Sequence, residues 1–249
     1  MGGHSKWANI KHRKAAQDSK KGKVWTKCSR EITIAAKAGG GKVQDNARLR
    51  KAVEDARAVN MPAENVKRAI QKGTGEIPGA VFEELTMEGY GPGGVAILCT
   101  GTTDSRNRTT NEIRKIYENN GGNMGSQGCV AFIFEKRGVI TLPKSAMGED
   151  ALIELALELG ADDVKADDSG YEVLTAQNTF EAVRDGLKAK GVAPESAEVT
   201  MLPKTQVSLD KAMAEKNLKL IDMLEEHDDI ADVYANFEIP DELMAALGK

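Results

Sequence analysis

The chain has 249 residues, enough for two or three domains of ordinary size, and 41% of them are apolar, which excludes disorder throughout. Aromatic residues make up only 4%, which argues against a single-strand binder built mainly on aromatic stacking platforms. The formal net charge of −4 hides a division: residues 1–72 hold 18 Lys and Arg against 6 Asp and Glu, while the remainder holds 16 against 32. A cationic module that seeks polyanions is thus joined to an acidic body that repels them.

From residue 1 to about 22 the chain is polar and very basic, with Asp18 its only acid. It has no apolar segment behind its charges, so a secretory signal is not expected. It is acid-poor like a mitochondrial presequence, but Lys outnumbers Arg. The myristoylation pattern fails at Lys6. From Lys23 the pattern turns helical: Trp25, Cys28, Ile32, Ala35 and Ala36 fall within about 100° of one another on an ideal helix. Lys23, Lys27, Arg30 and Lys37 fall on the opposite side within about 80°, an outward cationic face. Ile34 is out of place in this pattern, and Gly39-Gly40-Gly41 ends the helix.

Asp45 or Asn46 caps a second helix with Leu49, Val53, Ala56 and Val59 inside and Arg48, Arg50, Lys51 and Arg57 outside. Pro62 fits the first turn of a third helix, which Val66, Ala69 and Ile70 anchor and Gly73 stops. A linker over 73–79 follows. The period then changes to that of strands, at 82–89 and 94–100, joined by a hairpin at Tyr90-Gly91-Pro92-Gly93. Thr102-Thr103-Asp104-Ser105 supplies caps for a helix through Asn119; 121–128 reads as a loop and 129–134 as a buried strand.

Strand 139–142, helix 150–159, strands 163–166 and 171–176, helix 179–190 and strand 197–202 make a β-α-β-β-α-β unit, the ferredoxin-like order. Helix 209–226 and strand 233–237 then supply what the interrupted β-β-α-β run lacks. The fold class is α+β: an N-terminal helical domain (1–78), then two small α/β-sandwich, ferredoxin-like domains. The third (137–203) is inserted into the second (79–136 plus 204–249).

Gly89-x-Gly91-x-x-Gly94 matches the dinucleotide fingerprint as a string, but a β-run follows where a helix must open, so the segment reads as a hairpin. Glu225-Glu226-His227-Asp228-Asp229 has metal-ligand residue types at poor spacing and reads as a solvated helix end. The three histidines, His4, His12 and His227, offer no catalytic triad, and no P-loop, H-E-x-x-H or G-x-S-x-G occurs. No enzyme, cofactor or metal is expected. Cys28, Cys99 and Cys129 form no C-x-x-C pair, which suits a reducing compartment. No apolar run approaches the roughly 18 residues of a membrane helix. No long heptad seam argues for a dimer.

The strongest constellation is Lys6, Lys11, Arg13, Lys14, Lys20, Lys21 and Lys23 with Trp7, His4 and His12 interleaved, continued by Lys27, Arg30 and Lys37 on the first helix. Such cations neutralise phosphates without reading bases, and the rings offer stacking.

The block Gly3-His4-Ser5-Lys6-Trp7-Ala8-Asn9-Ile10-Lys11-His12-Arg13-Lys14-Ala15-Ala16-Gln17-Asp18 closely resembles the opening of the YebC/PmpR family. The resemblance continues at Asn46-Ala47-Arg48-Leu49-Arg50, Asn60-Met61-Pro62, Arg68-Ala69-Ile70, Glu88-Gly89-Tyr90-Gly91-Pro92-Gly93-Gly94, Asn107-Arg108-Thr109, Gly121-Gly122, Asp228-Asp229-Ile230 and Tyr234-Ala235-Asn236-Phe237. It implies a cytoplasmic, three-domain α+β protein. Members of the family are labelled transcriptional regulators that bind DNA; a mitochondrial branch activates translation, and bacterial relatives look like ribosome-associated translation factors that meet ribosomal RNA. The family has no agreed catalytic residues to carry over.

Overall fold

A computed structural model describes residues 21–167 and 170–238 of the chain. It is an α+β structure in which N-terminal helices precede antiparallel sheets. Two compact units form: one contains the described residues up to Val130 together with Glu215–Ala235, the other contains the described residues of Ala131–Ala214 and residues 236–238.

In the first unit three helices come first: α1 (Lys21–Gly39), α2 (Ala47–Ala58) and α3 (Ala63–Thr74). Their shared core is Ile32, Ala35, Ala36, Leu49, Ala52, Val53, Ala56, Met61 and Ala69, with Trp25, Cys28, Val66 and Ile70 packed against it. These are the apolar positions that the helical period aligns, and burying a side chain such as Ile32 or Leu49 contributes about 1.5–3 kcal/mol. Trp25 satisfies its indole N–H on the Val59 carbonyl, 3.1 Å away. Gly40 ends α1 in the left-handed region at φ +82°, a conformation that glycine adopts without strain. Ile34, off the inner face in the helical pattern, is nonetheless buried at 7% exposure, as is Thr33 at 5%. Helix α1 is therefore covered on two sides.

Gly73 does not stop α3. The helix runs to Thr74 and is capped by Gly75 at φ +79°. Gly73 lies where α3 crosses α1: a Cβ there would stand 2.3 Å from the Thr33 carbonyl oxygen. The crossing is fastened by Thr33, whose hydroxyl lies 2.8 Å from the Ser29 carbonyl and 3.2 Å from the Ala69 carbonyl.

The same unit continues with β1 (Glu83–Gly91), β2 (Val95–Thr103), α4 (Arg106–Asn119) and β3 (Asn123–Met124). The glycine string closes a hairpin: β1 and β2 pair antiparallel from Glu83↔Thr103 to Gly91↔Val95. Short β3 pairs with β1 inside the segment that reads as a loop.

In the second unit β4 (Phe134–Leu142), α5 (Glu149–Glu158), β5 (Asp163–Asp167), β6 (Gly170–Ala176), α6 (Phe180–Ala189) and β7 (Ser196–Pro203) follow. The sheet order β5-β6-β4-β7, all antiparallel, is the ferredoxin-like arrangement. Its core joins Ile140, Leu142 and Val173 of the sheet to Leu152, Ala156, Val183 and Leu187 of the helices. The strand expected at 129–134 does not form; β4 begins only at Phe134 and takes in the strand expected at 139–142. The charged stretch Glu135-Lys136-Arg137 reads as a gap, yet it pairs with Leu202, Met201 and Thr200 of β7. Ahead of it, Ala131–Ile133 is a 3₁₀ turn that leaves Phe132 67% exposed.

Two short strands, β8 (Val207–Ser208) and β10 (Phe237–Glu238), pair in parallel. Between them, α7 (Lys211–Glu225) and β9 (Ile230–Ala235) return the chain to the first unit, whose sheet order is β3-β1-β2-β9. No described helix is long and apolar enough to cross a membrane.

Of the two cap candidates, Asn46 serves. Its side chain accepts from Leu49 N–H at 3.0 Å and donates to the carbonyls of Ala35 at 2.7 Å and Gly40 at 3.0 Å, tying the start of α2 to the end of α1. Asn46→Ala should cost about 2–3 kcal/mol, a lost cap plus a buried carbonyl left unpaired. Urea unfolding followed by Trp25 fluorescence in a Trp7→Phe background measures it; a loss under about 0.5 kcal/mol would contradict the double role.

Candidate nucleic-acid interface

A helix ends with carbonyls that lack intrahelical partners and with the negative pole of its dipole. In α7 those groups meet the cations of α1. Lys27 Nζ donates to the Glu225 carbonyl at 2.6 Å, and Lys23 Nζ donates to the Glu226 carbonyl at 3.0 Å. Arg30 donates to the Asp228 carbonyl at 2.7 Å and to the Asp229 carboxylate at 2.5 Å. Three of the four cations predicted to form an outward face thus fasten α1 to the turn between α7 and β9. The fourth, Lys37, is exposed in the last turn of α1 and has no ion-pair partner among the described residues.

The turn is a solvated helix end at Glu226 and Asp228, which are exposed, but not at Asp229. Asp229 is 3% exposed. One carboxylate oxygen faces Arg30; the other accepts from Arg108 at 2.7 Å, from Thr109 at 2.5 Å and from Thr103 at 3.2 Å. Its carbonyl accepts from Thr102 N–H at 2.8 Å. Gly101 permits that approach, since a Cβ there would stand 2.0 Å from the same oxygen. Asp229 N–H donates to His227 Nδ1 at 3.1 Å, so the ring's hydrogen lies on Nε2 and is directed at Glu112, 3.0 Å away.

Burial pushes the Asp229 carboxyl up, but hydrogen bonds from Thr109, Arg108 and Arg30 and the charge of Arg30 overcome it and hold the pKa at about 2. None of this was visible locally in the sequence. The one available signal was complementarity: an acidic run at 225–229 and a cationic helix face of matching size.

Of the other predicted contact residues, Lys6, Trp7, Lys11, His12, Arg13, Lys14 and Lys20 lie outside the described residues, and Lys21 is the first residue of α1. Further cations remain exposed, with no ion-pair partner among the described residues: Lys42, Arg57, Lys67, Arg68 and Lys72. Others are used internally. Arg48 bridges Glu31 and Glu84, and Lys51 pairs with Asp55. Arg68 and Lys72 line a cleft of about 480 Å³ between α1 and α3, together with Trp25, Arg30, Asn65 and Phe82. The Arg30 guanidinium lies over the Phe82 ring, 5.3 Å from its centroid. No carboxylate among the described residues lines this cleft. No group of three or more potential metal-ligating side chains is present among the described residues.

Residues 5–76 match the TACO1/YebC protein N-terminal domain and residues 82–237 the TACO1/YebC second and third domain. The chain is 51% identical to a protein of Elusimicrobium minutum over the full length of both. It is 56% identical to one of Dictyoglomus turgidum over 99% of this chain and 100% of the relative. Both relatives are named "probable transcriptional regulatory protein". The crystal structure of a conserved hypothetical protein from Aquifex aeolicus superposes with a TM-score of 0.77 at 44% identity, covering 90% of this chain and 92% of that one.

Because the folded pKa of Asp229 lies below its unfolded value, its stabilisation is complete above about pH 4–5 and is lost as pH falls towards 2. The contribution is about 2 kcal/mol. Asp229→Asn should therefore be less stable than wild type at pH 7, and the gap should narrow between pH 5 and pH 2. Denaturant midpoints across that range check it; a gap independent of pH would contradict the assignment.

Proposed function

The chain belongs to the TACO1/YebC family, and from that membership together with its charge division we propose that it is a non-enzymatic transcriptional regulator that binds DNA through its basic N-terminal module. The observation that carries the reading is the set of cations that the fold leaves unspent: Lys37, Lys42, Arg57, Lys67, Arg68 and Lys72 are exposed and without ion-pair partners among the described residues. The basic segment before α1 adds to them in sequence. Lys23, Lys27 and Arg30 do a different job, holding α1 to the turn after α7.

A second reading uses the same surface: a ribosome-associated translation factor that meets ribosomal RNA. What favours it is the make-up of α3. Its apolar residues Val66, Ala69 and Ile70 face the helical core, and its exposed residues include Lys67, Arg68 and Lys72. Such a face neutralises phosphates and is not a helix that reads base edges in a major groove. Backbone or shape binding suits a folded RNA as well as DNA.

Replacing Lys37, Lys42, Arg57 and Lys67 with Ala should weaken binding to unrelated DNA sequences alike. It should also flatten the fall of log K with log salt by about 3–4, close to one for each phosphate no longer neutralised. Fluorescence anisotropy with labelled 20-mers at several salt concentrations reads this. Loss confined to one operator sequence, or no dependence on salt in the parent protein, would overturn backbone binding.

A further inference from the structure

We infer that the cleft between α1 and α3 receives a single unstacked nucleotide of a polynucleotide chain, its phosphate on Arg68 and Lys72 and its base against Phe82. The inference rests on the nucleic-acid reading above and narrows it: the target must offer an unpaired base.

Three properties of the cleft point the same way. The first is charge. Arg68 and Lys72 stand four residues apart on α3, where side chains are neighbours and like charges repel. Neither has an acidic partner among the described residues; the Arg30 guanidinium also lines the cleft, its charge already paired with Asp229. An anion placed there relieves the repulsion. In the larger cleft beside the Asp229 turn, about 600 Å³, the cations Lys23, Arg30, Arg108 and Lys115 are matched by Glu112, Glu226, Asp228 and Asp229, so no surplus of positive charge faces a phosphate there.

The second property is a planar surface. Phe82 is half-buried and already carries the Arg30 guanidinium over its ring at 5.3 Å. Stacking a base beside a ring and a guanidinium is the common device for holding unpaired nucleotides. Trp25 spends its N–H inward on Val59, so it offers the cleft ring carbon and no donor.

The third is hydrogen bonding of both kinds. The Asn65 side chain and the Ser29 hydroxyl line the cleft with no hydrogen-bond partner among the described residues. An amide carries both donors and acceptors, which is what a base edge requires. The volume, about 480 Å³, is within the range of about 300–1,000 Å³ typical of small-ligand pockets. A base inside an intact duplex is covered on both faces by its neighbours and cannot enter without being unpaired.

The test uses the full chain and two labelled probes with the same number of base pairs, a fully paired duplex and the same duplex with one bulged adenosine, which adds a single phosphate. The bulged probe should bind about tenfold more tightly. Phe82→Leu, and separately Arg68→Ala with Lys72→Ala, should reduce that preference to below about threefold. Phe82→Tyr, which keeps the ring, should retain it. The variant lacking Lys37, Lys42, Arg57 and Lys67 should weaken both probes and keep the preference. Equal binding of the two probes by the parent protein overturns the cleft assignment and leaves the nucleic-acid reading standing; no binding of either overturns both. Preservation of the full preference in both Phe82→Leu and the Arg68→Ala, Lys72→Ala variant also overturns it. Displacement of the bulged probe by adenosine monophosphate at equimolar concentration would assign the cleft to free nucleotides instead.

Discussion

A buried carboxylate must be compensated on every side, and the first unit is arranged around one. Asp229 collects Arg30 from α1, Thr103 from β2, and Arg108 and Thr109 from α4, while its backbone joins the turn between α7 and β9 to β2. Taking a charge out of water costs several kcal/mol unless charged donors surround it, and removing one partner of such a set costs about 3–5 kcal/mol. The irregularity in β2/β9 pairing at Thr100/Gly101 and the missing side chain at Gly101 follow from the same need, since both bring the Asp229 backbone against β2. The carbonyls ending α7 take up Lys23 and Lys27, so one turn accounts for most of the cationic face of α1.

This divides the basic module's charges into two groups by what they meet. Those facing the α7–β9 turn are neutralised inside the protein and hold α1 in place. Those on α2, on α3 and at the end of α1 that meet no acid among the described residues remain available to an external polyanion. Arg30 belongs to both settings: it grips Asp229 and also lies over Phe82 at the wall of the α1–α3 cleft. The carboxylate therefore fixes the position of one cleft wall, linking the stability of the first unit to the shape of its candidate binding site.

Much of this was legible in the sequence. The apolar stripe of α1, the helix cap at 45–46, the hairpin hidden in a glycine string and the β-α-β-β-α-β run all follow from period and turn chemistry, which are local. What was not legible is what covers each face. A helical wheel places Lys23, Lys27 and Arg30 opposite the core, yet it holds no information about an acidic turn roughly 200 residues away in the chain. Gly73 has the residue type of a helix stop, but its role is to let α3 cross α1 against the Thr33 carbonyl. The apolar run 129–134 has the composition of a strand but lies mostly ahead of β4, while the charged start of β4 breaks the apolar pattern although its pairing with β7 is continuous. For the candidate site the exposed cations of α2 and α3 were readable; the cleft that groups Arg68 and Lys72 with Phe82 exists only after the helices cross.

The central claim is that the Arg30–Asp229 contact is a structural coupling of α1 to the turn after α7. A double-mutant cycle with Arg30→Met, Asp229→Asn and the pair, measured by denaturant unfolding at pH 7, tests it directly. The account predicts a coupling energy of about 2–3 kcal/mol, with the double variant more stable than the sum of the single losses implies. Additive losses, with coupling below about 0.5 kcal/mol, would show that the two side chains are neighbours without being partners.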